Sequence, residues 1–266
     1  MLAKQRLSLI ERNLRAFSTS DSRHPIYNIQ VDRKERSITL VPKESHKSSL
    51  IWLHGLGDSA NGFADVFLNE EYAWTPPHVK VILLTAPERP VTLNGGMVMN
   101  SWYDIYSLRG DYIKSLDELF DKYSREEMLQ SVQTVSAVID KEIELLGDSR
   151  KVYIGGFSQG CALSLATMIL YPKILGGLFC LSGMNALKID WSRVAQEKKE
   201  MPIFVHHGEA DDVIQHKVAI KTYQEFIDNG FKKMEIKTEK HVGHSLSERE
   251  LQRMRQYVRE RLNSMV

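Results

Sequence analysis

One serine lies in a pattern that is typical of a catalytic nucleophile. Residues 156–160 read Gly-Phe-Ser-Gln-Gly, a G-x-S-x-G pattern centred on Ser158, between the strand-like KVYIG and the helix-like CALSLATMILY. In a strand-to-helix turn of this kind the serine hydroxyl is exposed. The flanking glycines are needed because a Cβ there would clash with neighbouring backbone. Ser158 is therefore predicted to attack a carbonyl carbon.

A serine hydroxyl needs a general base, and the base needs an acid that fixes its tautomer. In folds with this turn the chain order is serine, then acid, then histidine. His244 fits the base best, because it follows the strand-like residues 234–238 and stands in a loop just before the last helix. His241, in the same loop, is the alternative.

The acid is expected in the loop after the preceding strand. The strand-like residues 202–207 run directly into Gly-Glu-Ala-Asp-Asp, which offers three carboxylates, Glu209, Asp211 and Asp212. Each of them could equally be a turn residue or a helix cap. Spacing alone leaves the choice among them open.

The reaction also needs two amides that receive negative charge on the carbonyl oxygen. One is usually the amide of the residue after the nucleophile, here Gln159, and the other comes from an earlier strand-to-helix loop. Residues 51–58, Ile-Trp-Leu-His-Gly-Leu-Gly-Asp, supply such a loop, and Leu56 is the predicted second donor. His54 stands at the end of a strand before the serine and is interpreted as a residue that organises this loop.

Alternating strands and helices must position these residues. Short, nearly continuous apolar runs indicate strands buried on both faces of a parallel sheet; they occur at residues 49–53, 79–84, 152–155, 175–181 and 202–206. Residues 27–31 and 37–41 alternate apolar and polar side chains around a charged turn, which predicts an antiparallel hairpin. The sequence therefore predicts one three-layer α/β domain over residues 25–266, with a mostly parallel central sheet.

Helical periodicity separates the predicted strands. A long amphipathic helix is predicted from a capping box at Ser124 and Glu127 to a stop at Gly147. Further helices are predicted at residues 161–171, 217–229 and 251–262. Residues 106–123 are rich in charge and aromatic side chains, and could form a small insertion over one end of the sheet or an ordinary long connection.

The composition argues against several classes of protein. The 266 residues are 42% hydrophobic and 26% charged with a formal net charge of +1, so neither a disordered chain nor a nucleic-acid partner is expected. The two cysteines, Cys161 and Cys180, lie in apolar stretches, so no disulfide framework or zinc-type cluster is expected. The predicted chemistry needs no metal or cofactor. No apolar run is long enough to span a bilayer, so at most peripheral membrane contact is expected.

Residues 1–24 are interpreted as a basic amphipathic N-terminal extension. Residues 1–20 interleave four basic residues with apolar side chains and contain one acid, Glu11. This composition is typical of a transit peptide and also of a solvated helical tail. The first expectation is a cytoplasmic enzyme, and mitochondrial import through residues 1–20 is the alternative.

Five motifs, in order, resemble those of the acyl-protein thioesterases and their lysophospholipase-like carboxylesterase relatives, a group of α/β-hydrolases. The motifs are LHGLGDSANGF, APERPVTLNGG with NSWYDI, GGFSQGCALSL, HGEADDVI and VGHSLSERE, and the resemblance covers about residues 48–262. It implies an α/β-hydrolase fold with no large cap domain. It also implies hydrolysis of thioesters and esters, including palmitoyl-cysteine on proteins, without a cofactor. The family pattern H-G-x-x-D selects Asp211 over Asp212, and the family's later glycine-histidine pair supports His244.

The resemblance implies S-acylated proteins as substrates, with small acyl esters and lysophospholipids as the alternative. A non-catalytic binding protein on a hydrolase scaffold is the third hypothesis. An acyl chain needs an apolar groove, for which the candidates are Leu56, Met97, Met99, Trp102 and Met184, with Leu56 and Trp102 preferred. Residues 183–185, Gly-Met-Asn, stand where the family commonly has a Cys-Trp pair, so the family's acyl-chain preference does not carry over. A monomer or a weak homodimer is expected.

Overall fold

A central sheet of nine strands runs through the described part of the chain. The structure is a computed structural model that describes residues 20–21, 24–68, 75–108 and 115–263. The strands in chain order are β1 (Ser20–Asp21), β2 (Tyr27–Asp32), β3 (Ser37–Pro42), β4 (Ser48–Leu53), β5 (Val79–Leu84), β6 (Glu88–Val91), β7 (Met97–Asn100), β8 (Val152–Phe157), β9 (Gly177–Leu181), β10 (Ile203–Gly208) and β11 (Met234–Glu239).

The sheet is antiparallel at one edge and parallel elsewhere. Its order is β1-β2-β3-β5-β4-β8-β9-β10-β11, and β6 and β7 form a separate two-stranded ribbon. The pairs from β5 through β4, β8, β9 and β10 to β11 are parallel, whereas β1, β2 and β3 are antiparallel to their neighbours. The carboxyl ends of β4, β8, β10 and β11 therefore meet at one edge of the sheet, where ligands bind in open α/β sheets.

Helices cover both faces of the sheet. They are α1 (Ala60–Leu68), α2 (Leu116–Phe120), α3 (Arg125–Leu146), α4 (Gln159–Leu170), α5 (His216–Asp228) and α6 (Glu248–Asn263). Buried side chains of α3, α4 and α5 form one core with Ile51 and Leu53, while those of α1 and α6 form a second core with Leu50 and Trp52. Successive residues of β4 thus face opposite cores, which is why this strand is apolar throughout.

The predicted fold is confirmed. The hairpin at the N-terminal side is β2 and β3, and the predicted parallel strands lie within about two residues of their observed bounds. The β6–β7 ribbon and α1 were not predicted. The ribbon carries no clear period of two, since Met97 and Val98 are adjacent and both exposed. Helix α1 is only nine residues long and contains Gly62, which weakens its helical signal.

The sheet begins inside the predicted N-terminal extension. Ser20 and Asp21 form β1 and pair with residues 29–30 of β2, so residues 20–21 belong to the sheet. Of the basic amphipathic residues 1–20, all except Ser20 lie outside the described residues. None of the described helices is long and apolar enough to cross a bilayer.

Helix α3 begins and ends at the predicted signals. The Ser124 hydroxyl accepts a hydrogen bond from the Glu127 amide at 3.4 Å, and Gly147 ends the helix in the left-handed region at φ 73°. The Glu127 carboxylate does not complete the capping box, because it accepts from the Asp104 amide and pairs with Arg89 at 3.0 Å. The start of α3 is therefore tied to the segment that follows β7.

Candidate active site

Ser158 occupies a sharp turn between β8 and α4. Its backbone has φ 55° and ψ −117°, a conformation that side-chain-bearing residues rarely adopt. The Ser158 amide donates to the carbonyl of Leu181 at 2.9 Å, which holds the turn against the end of β9. A strained residue persists only where its surroundings fix it, and such residues cluster at active sites. The serine is 9% exposed and borders an open cavity.

The two glycines of the motif let the turn pack against β4. A Cβ on Gly156 would lie 2.6 Å from the Leu53 carbonyl oxygen, and one on Gly160 would lie 2.1 Å from the same oxygen. Both contacts are with backbone, which cannot move aside as a flexible side chain would. The sequence prediction for these glycines is confirmed by this geometry.

Gly160→Ala is expected to lower the free energy of unfolding by about 1–3 kcal/mol, since the added methyl group forces the turn away from β4. It should also lower kcat/KM by about 10–100-fold, because the nucleophile moves with the turn. Urea unfolding and steady-state kinetics measure the two effects. Gly243→Ala is the matched control, because a Cβ at Gly243 would meet nothing closer than 3.8 Å. Equal stability of the two variants would contradict the prediction.

The structure brings Ser158, His244 and Asp211 into one line, although 86 residues separate the first two in the chain. The Ser158 hydroxyl lies 2.8 Å from Nε2 of His244, and Nδ1 of His244 lies 2.8 Å from Oδ2 of Asp211. With Asp211 ionised, the proton of the neutral imidazole is on Nδ1, so Nε2 can accept the hydroxyl proton. His241 and Asp212, the alternative base and acid, have exposed side chains and take no part in this line.

The Asp211 carboxylate is held in its ionised form. Burial by itself raises the pKa of Asp211, but the hydrogen bond and charge of His244, the Ile214 amide and His207 together outweigh burial and lower it. Its Oδ1 accepts from the amides of Val213 at 3.0 Å and Ile214 at 2.8 Å. These donors fix the carboxylate so that Oδ2 faces the imidazole.

His207, near the end of β10, is a buried neighbour of Asp211. Its Nε2 donates to the Ile214 carbonyl at 2.8 Å and lies 3.4 Å from Oδ2 of Asp211. Burial lowers the pKa of His207 more than the Ile214 carbonyl and Asp211 raise it, so its ring is neutral near pH 7. His207 therefore supports the Asp211 loop without adding a charge.

Two backbone amides remain available beside the nucleophile. The amides of Leu56 and Gln159 donate to no group within the described ranges, and both residues line the cavity that Ser158 borders. Gln159 is also the first residue of α4, so its amide lies at the positive end of the helix dipole. The predicted assignment of Leu56 and Gln159 as oxyanion donors stays a prediction that this placement favours.

The Gln159 side chain has a further role that the sequence did not indicate. Its Oε1 accepts from the Trp102 amide at 3.0 Å, and its Nε2 donates to the Ser101 hydroxyl at 2.9 Å and the Tyr103 carbonyl at 2.7 Å. The side chain is buried and binds residues 101–103 to the start of α4. No periodic signal reports such a contact, because its partners lie more than 50 residues apart.

Trp102 was predicted to border the acyl site, and the structure places it elsewhere. Its indole is 1% exposed, and its Nε1 donates to the His54 carbonyl at 2.9 Å. Trp102 lies outside the lining of the cavity at Ser158, because its side chain packs behind the loop that carries Leu56. Met97 and Met99 are also outside this lining, whereas Leu56 and Met184 are part of it.

His54 organises the loop after β4, as predicted. Its Nδ1 donates to the Gly55 carbonyl at 2.6 Å, and its Nε2 accepts from the Ala86 amide at 3.0 Å. Burial, with a smaller contribution from the charge of Arg36, lowers the pKa of His54 to about 4 against the opposing effect of the Gly55 carbonyl. Both ring nitrogens are used by the neutral form, so protonation would break the bond to Ala86.

The stability of the protein is expected to fall between pH 6.5 and pH 4 because of His54. The unfolded chain takes up a proton on this residue below about pH 6.5, while the native protein does so only near pH 4. Stability therefore rises with pH across this window, by about 1–2 kcal/mol from pH 5 to pH 6.5. Urea unfolding at both pH values should show a smaller difference for His54→Gln than for the wild type. Equal differences in both proteins would contradict the assignment.

An apolar cavity of about 330 Å³ opens onto the Ser158 hydroxyl. Its volume lies in the range of about 300–1,000 Å³ that small-molecule sites occupy. Most of its wall is apolar; the apolar lining side chains are Leu56, Tyr103, Ile105, Leu108, Tyr123, Phe157, Ala162, Met184, Ala186, Val213 and Ile214. Sequence reasoning found only Leu56 and Met184 among them, because the others come from five separate segments that only the fold brings together.

Residues 106–123 contribute to this cavity. The segment closes on itself, since the Tyr106 amide donates to the Lys122 carbonyl at 2.8 Å and Ile105 pairs with Tyr123 in an isolated bridge. It contains the short helix α2, and its residues 109–114 lie outside the described ranges. Leu108 and Tyr123 face the cavity, so of the two interpretations that the sequence left open this placement favours a small insertion over an ordinary long connection.

The geometry agrees with the comparisons with known proteins. Residues 35–262 match the Phospholipase/Carboxylesterase family. The chain belongs to this family. As a family member it is a hydrolase of esters and thioesters. The family resemblance read from the five sequence motifs is thereby confirmed.

Individual relatives cover most of the chain. Acyl-protein thioesterase 1 of Yarrowia lipolytica is 39% identical over 200 residues, which are 74% of this chain and 83% of that protein. A probable inactive carboxylesterase of Oryza sativa subsp. japonica is 34% identical over 212 residues, 79% of this chain and 82% of that protein. The crystal structure of Zea mays acyl-protein thioesterase 2 superposes with a TM-score of 0.70 at 25% identity, covering 85% of this chain and 99% of that one.

Proposed function

We propose that this family member hydrolyses long-chain acyl thioesters and esters with Ser158 as nucleophile, and that S-acylated proteins are its substrates. The observation that carries the proposal is the continuous line from Asp211 through His244 to Ser158 at the base of an apolar cavity. A binding protein has no use for a strained serine that is aligned with a buried histidine and acid. Names of relatives such as acyl-protein thioesterase 1 support the choice of substrate class.

The first half of the reaction acylates the serine. His244 Nε2 takes the proton of Ser158 as Oγ attacks the carbonyl carbon, and Asp211 stabilises the imidazolium that forms. The carbonyl oxygen becomes an oxyanion, for which the amides of Leu56 and Gln159 are the donors. His244 then gives its proton to the departing thiolate or alkoxide, and the C–S or C–O bond breaks.

The second half regenerates the enzyme. A water molecule loses a proton to His244 Nε2 and attacks the acyl-serine carbonyl through the same oxyanion site. The bond between the acyl carbon and Ser158 Oγ breaks, and His244 returns its proton to Oγ. The products are a carboxylic acid and a thiol or an alcohol, and His244 carries every proton transfer in this cycle while Asp211 orients and stabilises it.

The apolar cavity supports a long acyl group as the recognised part of the substrate. Each methylene that enters it is expected to contribute about 0.8 kcal/mol, or a factor of about four in kcat/KM. An acyl series of thioesters should therefore give kcat/KM that rises with chain length until the cavity is filled. A preference for acetyl over longer chains would contradict a lipid substrate and favour a short-chain carboxylesterase.

The leaving group separates the remaining alternatives. A palmitoyl-cysteine peptide and lysophosphatidylcholine share a long acyl chain and differ on the other side of the carbonyl. We expect a higher kcat/KM for the peptide; the reverse order would identify a lysophospholipase. Labelling by a fluorophosphonate, compared between the wild type and Ser158→Ala, tests catalysis itself. Absence of labelling in folded wild-type protein would favour a non-catalytic role. The relative from Oryza sativa that is named a probable inactive carboxylesterase is consistent with such a role in this family.

The cellular location of the protein is also proposed from its sequence. We infer a cytoplasmic enzyme, and mitochondrial import through residues 1–20 is the alternative that the basic composition of this segment supports. A mass spectrum of the N-terminus of the protein isolated from cells tests the alternative. An intact Met1 or Leu2 start would exclude cleavage on import.

A further inference from the structure

The amide of Leu56 is presented by a tight turn. Residues 55–58 form this turn, which is closed by a hydrogen bond from the Asp58 amide to the Gly55 carbonyl at 3.2 Å. Gly57, its third residue, has φ 77°, which a type II turn requires at that position. The orientation of the Leu56 amide therefore depends on how firmly this turn is held.

Asn100, the last residue of β7, holds the turn at two points. Its carbonyl accepts from the Gly57 amide at 2.8 Å, and its Nδ2 donates to the Asp58 carbonyl at 2.6 Å. These bonds fix the two residues that directly follow Leu56. Asn100 is half-buried and lies outside the lining of the cavity at Ser158, so it acts on the site through the turn.

Arg36 holds the Asn100 side chain from the turn between β2 and β3. Its Nη2 donates to Oδ1 of Asn100 at 2.9 Å, and its Nη1 lies 3.3 Å from Oε1 of Glu88. Because Oδ1 accepts from Arg36, the amide is oriented with Nδ2 towards Asp58. Arg36 has φ 52°, a left-handed conformation that is unfavourable for a residue with a side chain.

The same segment is tied to the second proposed donor. Asn100 is followed directly by residues 101–103, which the Gln159 side chain binds by three hydrogen bonds of 2.7–3.0 Å. One connected set of hydrogen bonds thus joins the Leu56 turn to the residue that carries the other amide. The spacing between the two amides depends on Asn100, which stands at the junction.

We propose that Asn100 is a positioning residue for the oxyanion site and that Arg36 extends this support to the N-terminal hairpin. The inference rests on the proposed hydrolase function. Loosening either residue should let the Leu56 amide leave its place, so the oxyanion loses a donor while the bound substrate loses little. The effect is therefore expected in kcat rather than in KM.

Steady-state hydrolysis of a p-nitrophenyl acyl ester tests this. Loss of one oxyanion donor lowers kcat by about 10²–10³-fold. In these variants the Leu56 amide remains but is less well placed, so the loss should be smaller. We expect kcat to fall by about 30-fold in Asn100→Ala and by about fivefold in Arg36→Gly, whose side chain is more exposed. KM should stay within about twofold of the wild type in both. The double variant should lose no more than Asn100→Ala alone, because both act through one contact.

Two readouts separate positioning from a general loss of structure. Affinity for an alkyl trifluoromethyl ketone, which forms a tetrahedral oxyanion on the serine, should fall by the same factor as kcat. Arg36→Gly relieves the strain at φ 52°, so its melting temperature should not fall although its kcat does. Arg36→Lys, which keeps one donor for Asn100, should recover most of kcat. Arg33→Ala, in the same turn and without a contact to Asn100, is the matched control and should match the wild type.

The outcomes are distinguishable. If the wild type does not hydrolyse the ester, the proposed function fails. If the wild type is active and both Arg36→Gly and Asn100→Ala keep kcat and ketone affinity within about twofold, the positioning role is wrong while the function stands. A rise in KM with unchanged kcat would also overturn it. If Asn100→Ala does not fold, Arg36→Gly decides alone.

Discussion

Ser158→Ala is expected to lower kcat/KM for thioester and ester substrates by at least about 10⁴-fold, because no other group can form the acyl intermediate. The remaining rate would come from the oxyanion donors and from substrate binding alone. Measurement with a palmitoyl-cysteine peptide and a p-nitrophenyl ester should give the same relative loss. Both reactions depend on the same hydroxyl, so a loss confined to one of them would require a second nucleophile.

The Ser158→Ala protein should fold as the wild type does. The Ser158 hydroxyl contacts only the edge of the His244 ring, so its loss leaves the packing unchanged. Alanine must adopt the same strained backbone conformation, φ 55°, that serine adopts. Near-equal melting temperatures would show that the lost rate is chemical. Ser158→Gly removes the strain and is expected to be more stable than Ser158→Ala by about 1 kcal/mol while being equally inactive. Substantial activity in either variant would refute the serine mechanism.

Asp211→Asn is expected to lower kcat by about 10⁴-fold, with little change in the shape of the site. An asparagine amide in place of Oδ2 cannot accept the Nδ1 proton of His244, so the imidazole takes the tautomer in which Nε2 carries the proton. Nε2 then cannot accept the proton of Ser158. Kinetics on the purified variant measure the loss, and fluorophosphonate labelling should slow with it, because labelling needs the same activated hydroxyl.

Asp212→Asn is the matched control for this prediction. The two aspartates are adjacent, but Asp211 is buried and bonded to His244 while Asp212 is exposed. Asp212→Asn should therefore keep wild-type kcat. Equal losses in both variants would mean that the loop as a whole, and not one carboxylate, orients the histidine. Asp211 also has a depressed pKa in the native protein, so the stability it contributes should be lost as the pH falls towards that pKa.

Local sequence signals were sufficient to select Ser158 as the proposed nucleophile and His244 as the proposed base. Ser158 is recognisable because the strand before it, the helix after it and two glycines all lie within about 20 residues. His244 is recognisable because a strand and the last helix bracket its loop. In each case the residues that fix the backbone conformation are neighbours in the chain, so their pattern can be read without knowing the fold.

The acid could not be chosen from spacing. Glu209, Asp211 and Asp212 are alike in chain position, and only the resemblance to a family pattern favoured Asp211. What distinguishes Asp211 in the structure is its burial and its bond to His244, a residue 33 positions later. Such a contact depends on where β10 and β11 end relative to one another, which is a property of strand pairing and leaves no trace in local composition.

For Trp102, the sequence suggested a position beside the substrate that the structure does not support. Its size and its place in a family motif suggested a wall of the acyl site, yet its indole is buried behind the loop and bonded to the His54 carbonyl. A large apolar side chain has the same sequence signature whether it fills the core or lines a cavity. The actual wall is built from smaller contributions of many segments, including Ile105, Leu108 and Val213.

By itself, the sequence determined the class of fold and selected the serine and the histidine that we propose to react, because strand and helix periodicity and a glycine-flanked turn are set by residues close together in the chain. The tertiary structure alone decided the cavity wall, the support of the Leu56 turn by Asn100 and Arg36, and the geometric choice of Asp211. The hydrogen bonds of Asp211, Asn100 and Arg36 join side chains to partners that are 33 to 64 residues away. Their positions follow from the packing of the whole sheet, which no window of sequence contains.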